Sequence, residues 1–525
     1  MNIQRFFTPE PQKPELNRPV ARPRMPWLIA ALACFCPTFL CLYAVPALSL
    51  PDQLAITLSA RLEALDATLE QAVANQTSPA TLIAGAALDD LTGAVPDTAL
   101  NWSPAPTDAV EVQRLNMRLL MVMLSQAYGA EGNGTVLSAQ GEDGRDALVI
   151  RKGRVTMAGL RRILQESRLQ RAQGAGPLVL EVPLVIWAGA ALHLQPGDEL
   201  HLSRTDGAFV VNFGQLQING AQIRSVGKPG AKSPGFIPFV TTADGGSAQV
   251  QNAWISGLGF GKTLKFSGFS IMHNALRAAD TASWVQNTTF ENLMTVSVSA
   301  DWDVVLRGNH FRDMRGASLI ISRTGGARVL ANLFSGRMPT NAVVLEEGSG
   351  RGLVEGNIIL GGERAGIMVR NGSTAALVTR NVVWHRDGGG IALVKSDCGR
   401  ITDNMVFNNA QKGIEVRVSQ QSQVQGNTIL ANHSAGIWIS AQPRGAQTTL
   451  RGNILINNGS GLAGAQGEHI LLDGNDFTRQ FPQFLSGDLS TQSVTIADDL
   501  QGAAPFVLTS AGSGPVVPDT ADCAR

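Results

Sequence analysis

The residues best equipped for chemistry lie between positions 370 and 438: Arg370, Lys395, Glu415, Arg417 and Trp438. Guanidinium groups offer paired donors to a carboxylate, and an indole offers a flat surface on which a sugar can stack. Such a set, with Arg323 as an upstream addition, suits an anionic or uronate-bearing polymer. Solvated surface charge is the plainer reading of the same residues. A second group, His385-Arg386-Asp387 before Gly388-Gly389-Gly390, puts an imidazole, a guanidinium and a carboxylate side by side in a loop. It could supply a displaced acid/base pair, with a turn of solvated polar residues as the alternative. The other six His residues are scattered singly among the 7 in the chain, which argues against a metal cluster. No phosphate loop, dinucleotide fingerprint or nucleophile elbow occurs, so no cofactor is expected.

These side chains need a scaffold, and the sequence supplies one by repetition. Asn287, Asn309, Asn332, Asn357, Asn381, Asn404, Asn427, Asn453 and Asn475 recur at intervals of 22 to 26 residues. A residue suited to a core follows two places after nearly every one: Thr289, Phe311, Phe334, Ile359, Val383, Val406, Ile429, Leu455 and Phe477. Four Gly-Ile pairs (Gly366-Ile367, Gly390-Ile391, Gly413-Ile414, Gly436-Ile437) keep one frame, and Val344, Val369, Leu393, Val416 and Ile439 face the same way as those Ile residues. Short alternating strands between Asn and Gly corners predict one turn of a right-handed parallel β-helix per repeat, with the Asn side chains stacked as a ladder. Helical solenoids have longer units and a 3.6 period, and no leucine-rich frame recurs.

The chain is long enough for a large core, with 525 residues and 44% hydrophobic content. Lys+Arg and Asp+Glu both number 42, so no basic patch argues for nucleic acid. Residues 1–26 carry five Lys or Arg against Glu10 and Glu15, and residues 27–50 are uncharged. That run is long enough to span a bilayer and is expected to be an inner-membrane anchor with a cytoplasmic N-terminus, or a cleaved signal ending near Ala47-Leu48-Ser49. Both readings export the remainder to a periplasm. Cys398 and Cys523 could pair there, although nothing in the sequence requires it.

A helix is expected at about 51–75 from Leu54, Leu58, Leu62, Leu65 and Leu69, either packed on its own domain or forming a short coiled coil. Linker follows from Ser78 to Thr107, within a helical and linker region that runs from 51 to 176. Further helices are expected at about 110–128 and 156–170, the last placed to cover the open end of the solenoid. The β-helix is expected over 177–477, with a loop at Gly227–Gly235, and 478–525 as a cap segment and disordered tail.

An ordered series of short motifs carries a family resemblance. Pro183-Leu184-Val185-Ile186, Gly189-Ala190-Ala191-Leu192, Gly207-Ala208-Phe209-Val210-Val211-Asn212, Leu258-Gly259-Phe260, Trp284-Val285-Gln286-Asn287 and Asp303-Val304-Val305-Leu306-Arg307-Gly308-Asn309 with Arg312-Asp313 are among them. Over roughly residues 148–475 the chain resembles the periplasmic alginate (poly-mannuronate) C5-epimerases. The resemblance implies a right-handed β-helix, an anionic polysaccharide bound along one strand face, and a place beside a polymer synthesis and export assembly. It also exposes a departure. The family's Asp-Pro-His-Asp run falls on Ile320-Ile321-Ser322-Arg323, and its carboxylate-binding Arg, one coil later, falls on Glu346. Proton removal beside a carboxylate needs a base and a cation, and both family groups are missing here.

On the strand of the Gly-Ile pairs, two outward columns are expected. One is Val298, Ile320, Val343, Met368, Ala392, Glu415 and Trp438; the other is Ala300, Ser322, Leu345, Arg370, Val394, Arg417 and Ser440. An apolar strip would thus give way to a charged patch, and such strips are covered by the chain itself, by a partner or by a ligand. The expectation is an envelope protein that binds, guides or modifies an exopolysaccharide, without the family's usual catalytic residues. Alternatives are an active C5-epimerase or polysaccharide lyase with a site rebuilt around His385, Arg370 and Arg417, and a non-catalytic docking scaffold of a secretion complex.

Overall fold

The computed structural model describes residues 50–74, 81, 89–93, 95, 100–140, 146–273, 281–510, 512–514 and 523, all within the unit Ser49–Arg525. The expected anchor or signal at 27–50 lies outside them except for Leu50, and among the described residues no helix is long and apolar enough to cross a membrane.

The N-terminal part is helical with one strand pair. Helix α1 spans Leu50–Ala74 and α2 is a single turn, Asp89–Thr92. The segment expected to start a second helix near 110 is instead strand β1 (Glu111–Asn116), antiparallel to β2 (Asp146–Thr156). Helix α3 (Met117–Tyr128) starts only where the Asn116 side chain can cap it by accepting from the Arg118 N–H. Val112 and Leu115 fit a helical spacing, but the ladder to β2 outweighs that local preference. Helix α4 (Asn133–Ala139) follows, and α5 (Met157–Ser167) places Leu160 and Leu164 on the first coil of the solenoid, covering its end.

From β2 onward the chain winds a right-handed parallel β-helix. Each coil gives one short strand to sheet 1, one to sheet 2 and one to sheet 3, and sheet 3 alone holds 13 strands. The solenoid starts about thirty residues earlier than the sequence suggests, because β2 itself pairs in parallel with Leu184–Ile186 of sheet 1 and Ala190–Leu194 of sheet 2. Charged residues at Arg151, Lys152 and Arg154 hide its alternation. The last sheet 1 strand is Leu485–Gly487, and helix α6 (Ser493–Asp498) closes that end with Ile496 in the core. What was expected to be a disordered tail contains a hairpin, Phe506–Thr509 with Gly512–Gly514, laid antiparallel on His469–Asp473. Cys398 and Cys523 form a disulfide.

Inside the coils identical positions stack. Phe290, Phe311 and Phe334 lie one above another with centroids 5.3 and 4.7 Å apart. At the corner between sheets 2 and 3 each Asn side chain donates to the next: Asn309 to Asn332 at 3.0 Å, Asn381 to Asn404 at 2.9 Å, Asn453 to Asn475 at 2.8 Å. The column extends from Asn309 to Asn475. Asn287 is not in it: the place belongs to Thr288, whose N–H donates to Asn309 Oδ1, and the core residue of that coil is Phe290 instead of Thr289. A second column, Asn409, Asn432, Asn458 and Gln480, stacks between sheets 3 and 1. The Gly of the Gly-Ile pairs is required by that crowding: a Cβ on Gly413 would sit 2.6 Å from the Gly436 carbonyl of the next coil.

Candidate functional site

Three outer faces start out equivalent, and the N-terminal region covers part of each. Leu58, Leu62, Leu65 and Leu69 of α1 pack on Leu333, Ile358, Val382, Trp384 and Phe407 of sheet 3. The helix thus packs on its own solenoid, the first of the two expected arrangements. Val95, Leu100 and Trp102 cover Trp284, Val305 and Leu330 of sheet 2, with Trp102 edge-on to Trp284 at 4.7 Å. Met117, Leu120, Met121 and Leu124 of α3 and Val136 of α4 cover the first coils of sheet 1, meeting Val149, Val185, Val211 and Phe239. Tyr128 pins this cover: its hydroxyl donates to the Met272 carbonyl at 2.7 Å and accepts from the Asp244 N–H at 2.9 Å. Burial pushes its pKa up to about 12.

The outer face of the later sheet 1 strands stays open as a groove. Its floor is set by strand register, which pairs Ser297, Ile320, Val344, Met368, Ala392, Glu415 and Trp438 in one column, and Ser299, Ser322, Glu346, Arg370, Val394, Arg417 and Ser440 in the other. Four expected assignments therefore shift by one residue. Val298, Val343 and Leu345 point into the core, and Ala300 occupies a left-handed turn beyond its strand. The cause is local. The coils that begin at Asn287 and Asn332 differ in corner length, so a fixed offset from Asn fails there, and a slip of one residue reverses every face. For the same reason Val344 faces outward and Leu345 joins Val369 inside.

The groove has two hollows. One, about 670 Å³, is lined by Thr340, Asn341, Glu363, Arg364, Ala365, Met368, Arg370, Gly388, Gly389, Ile391, Ala392, Gln411, Lys412 and Glu415. The other, about 710 Å³, continues past Arg417, Trp438, Ser440 and Gln466 to Asp488. Arg370 Nε donates to Glu346 Oε2 at 2.9 Å, and Lys412 Nζ donates to Glu415 Oε1 at 2.8 Å. The Lys412 ammonium also lies 4.7 Å over the Trp438 ring, a cation–π contact.

Of the residues singled out in the sequence, Arg370, Glu415, Arg417 and Trp438 share this floor. Arg323 and Lys395 stand in left-handed turns just past their strands, at φ 52° and 51°, on the rim. Arg323 is held by Ser299 Oγ at 3.0 Å. His385 sits at the sheet 3 end of its loop against Trp384, 5.1 Å between rings, and is not among the groove-lining residues. It does not converge with Arg370 and Arg417. Arg386 is fully buried, bonding the carbonyls of Gly361, Arg364 and Thr340. Desolvation lowers its pKa to about 10, so it stays charged at neutral pH and clips the loops of three coils into the groove wall. The expected His-Arg-Asp cluster is therefore split, with Arg386 structural and its neighbours exposed.

Lys412 and Glu346 complete the floor, and Lys412 carried a readable signal, standing two places before Ile414 in the repeating frame. A buried pair beyond the covered end was also missed. His273 Nε2 and Asp301 Oδ2 lie 3.8 Å apart with no hydrogen-bond partner on either atom. Burial lowers the His273 pKa and raises that of Asp301 to about 7. Among the described residues no three His, Cys, Asp or Glu side chains converge as a metal site would need.

Comparison with known proteins agrees with this architecture. A family profile described as "Right handed beta helix region" matches residues 337–477, and one described as "Periplasmic copper-binding protein (NosD)" matches 260–406. The mannuronan C5-epimerase AlgG of Azotobacter vinelandii is 28% identical over 316 residues, 56% of this chain and 58% of that protein. A mannuronan C5-epimerase of Pseudomonas putida is 22% identical over 278 residues, 50% of this chain and 53% of that protein. The chain thus spans a little over half the length of these curated relatives. The crystal structure of the periplasmic alginate epimerase AlgG superposes with a TM-score of 0.58 at 18% identity, over 74% of this chain and 98% of that one. This protein is a right-handed parallel β-helix with sequence homology to the mannuronan C5-epimerases.

Proposed function

We propose that the sheet 1 groove binds a polysaccharide strand in the periplasm, guiding or holding it during synthesis and export, and that it does so without the relatives' usual proton-transfer residues. The observation that carries this is the distribution of cover. The chain lays its own apolar residues over the middle coils of sheet 3, the 284–330 coils of sheet 2 and the first coils of sheet 1, and leaves open on sheet 1 a groove lined by Arg370, Lys412, Glu415, Arg417 and Trp438. A long, shallow, polar channel with one aromatic ring suits an extended polymer better than a compact metabolite, which needs an enclosed apolar pocket. Ile320, Ser322 and Glu346 stand where the family resemblance would place catalytic groups, and none of them supplies an imidazole or a free cation. In this setting residues 27–50 hold the protein at the inner membrane, and the partners are proteins of the synthesis and export assembly.

The test is affinity electrophoresis of the whole chain through gels containing acidic or neutral polysaccharides. Retardation by at least one polymer, reduced about fivefold or more in Trp438→Ala, is expected, since loss of a stacking contact costs on the order of 1–3 kcal/mol. Migration unaffected by every polymer would overturn the reading. A second reading, an active C5-epimerase or lyase built on the groove residues Arg370 and Arg417 without His385, draws support from the activity named for the curated relatives. Incubation with polymannuronate should then give guluronate signals or unsaturated-uronate absorbance, and their absence removes it.

A further inference from the structure

Charge in the groove is balanced internally, and this bears on which polymer it takes. The two hollows are lined by four cations, Arg364, Arg370, Lys412 and Arg417, and by three acids, Glu363, Glu415 and Asp488. Glu346, bonded to Arg370, brings the acids to four and the net charge of the floor and walls to zero, with the exposed Arg323 and Lys395 standing outside that count on the rim. Two of the cations are already engaged on the floor, Arg370 by Glu346 and Lys412 by Glu415.

A polyuronate offers one carboxylate per sugar, a spacing of about 5 Å that is close to the rise of one coil. To seat it, nearly every coil would need an uncommitted cation. Here a carboxylate drawn along the floor meets Glu346 and Glu415 on the way, and each approach must break an ion pair or accept like-charge repulsion. Hydroxyl groups meet no such obstacle. A hydroxyl donates and accepts at once, so it can give its proton to the Glu oxygen of a pair and receive one from the Arg or Lys beside it. The same pairs that exclude a polyanion therefore form a matched set of donors and acceptors for a hydroxyl-dense strand, with Trp438 facing sugar C–H bonds on the side that Lys412 leaves free.

We infer that the groove selects an uncharged, hydroxyl-rich polysaccharide over a polyuronate, with the Glu346–Arg370 and Lys412–Glu415 pairs as the selecting elements. This rests on the groove being a polysaccharide site, as proposed above. Calorimetric titration of the whole protein with cellohexaose, laminarihexaose and a mannuronate hexasaccharide, at about 20 and 200 mM salt, tests it. At least one neutral hexasaccharide should bind about tenfold or more tighter than the uronate, with affinity little changed by salt. The double variant Glu346→Gln/Glu415→Gln should gain uronate affinity by a similar factor, and that gain should vanish at the higher salt. Uronate binding equal to or tighter than that of both neutral sugars in the unaltered protein would overturn the selectivity while leaving the groove a glycan site. Binding of none of the three overturns both statements.

Discussion

At the scale of single residues, burial decides what a titratable group can do. Asp301 has its pKa raised to about 7 from 3.8, chiefly because burial disfavours the carboxylate, with Asp303 adding repulsion and Ser283 opposing it. Between about pH 4 and 7 the folded chain therefore binds more protons at this site than the unfolded chain, so its contribution to stability falls as pH rises through that window and levels off above it. His273, whose pKa is lowered, acts in the opposite sense below its ordinary value. Because the two groups lie 3.8 Å apart, the comparison of Asp301 with Asp301→Asn is made in a His273→Gln background, which removes that second effect. The variant should lose the decline and be more stable at pH 8 by up to about 4 kcal/mol, measured by denaturant titration at pH 5 and pH 8. Equal pH dependence in the two proteins would show that the carboxyl is not held as described. Residue types alone could not reveal this pair, since 28 positions separate its members and only the stacking of coils brings them together. Arg386 misled for the related reason that a loop reading cannot tell which of three adjacent polar side chains turns inward.

At the scale of elements, the repeating frame was legible because it is enforced twice, by core residues at period two and by Asn at the corners. Where the corners changed length, at Asn287 and Asn332, the reading slipped by one residue and mislaid Val298 and Val343. Helix α1 was legible as a helix but not in its docking, since a leucine stripe fits a neighbouring helix and an apolar sheet face equally well. Its burial has a testable result. Leu62 and Leu65 are buried against sheet 3, and Asp at both places should cost far more than the helix can regain alone, as most helical stability in proteins comes from packing of the apolar face. Leu62→Asp/Leu65→Asp should abolish hydrogen-exchange protection across 50–74 and expose an apolar strip that binds anilinonaphthalene sulfonate, with the solenoid strands still protected. Retained protection in 50–74 would mean that other contacts hold the helix.

At the scale of the whole molecule, a solenoid is a stack of near-neighbour contacts, so a link between distant coils matters more than in a globular domain. The Cys398–Cys523 disulfide joins positions 125 residues apart, and removing it releases a closed loop worth on the order of 5 kcal/mol by chain entropy. Cys523→Ser should lower the unfolding temperature. A melting curve unchanged by the variant would show that the link carries no load. The pairing could not be read from the sequence, because nothing local says that the chain end returns to the coil at 398. The open groove was only half legible: alternation placed Arg370, Glu415, Arg417 and Trp438 on one face, but not the salt bridges between coils that set its charge.

The Asn column also has a sense of direction. Every rung gives its Nδ2 proton to the Oδ1 of the following rung, which accepts the backbone N–H of the same donor as well. Loss of the Asn332 side chain would thus strand two buried donors on Asn309, the coil behind it, whereas Asn357 ahead would still receive the backbone proton of residue 332. Damage to this spine propagates backward, toward the amino end, like a zip that opens one way.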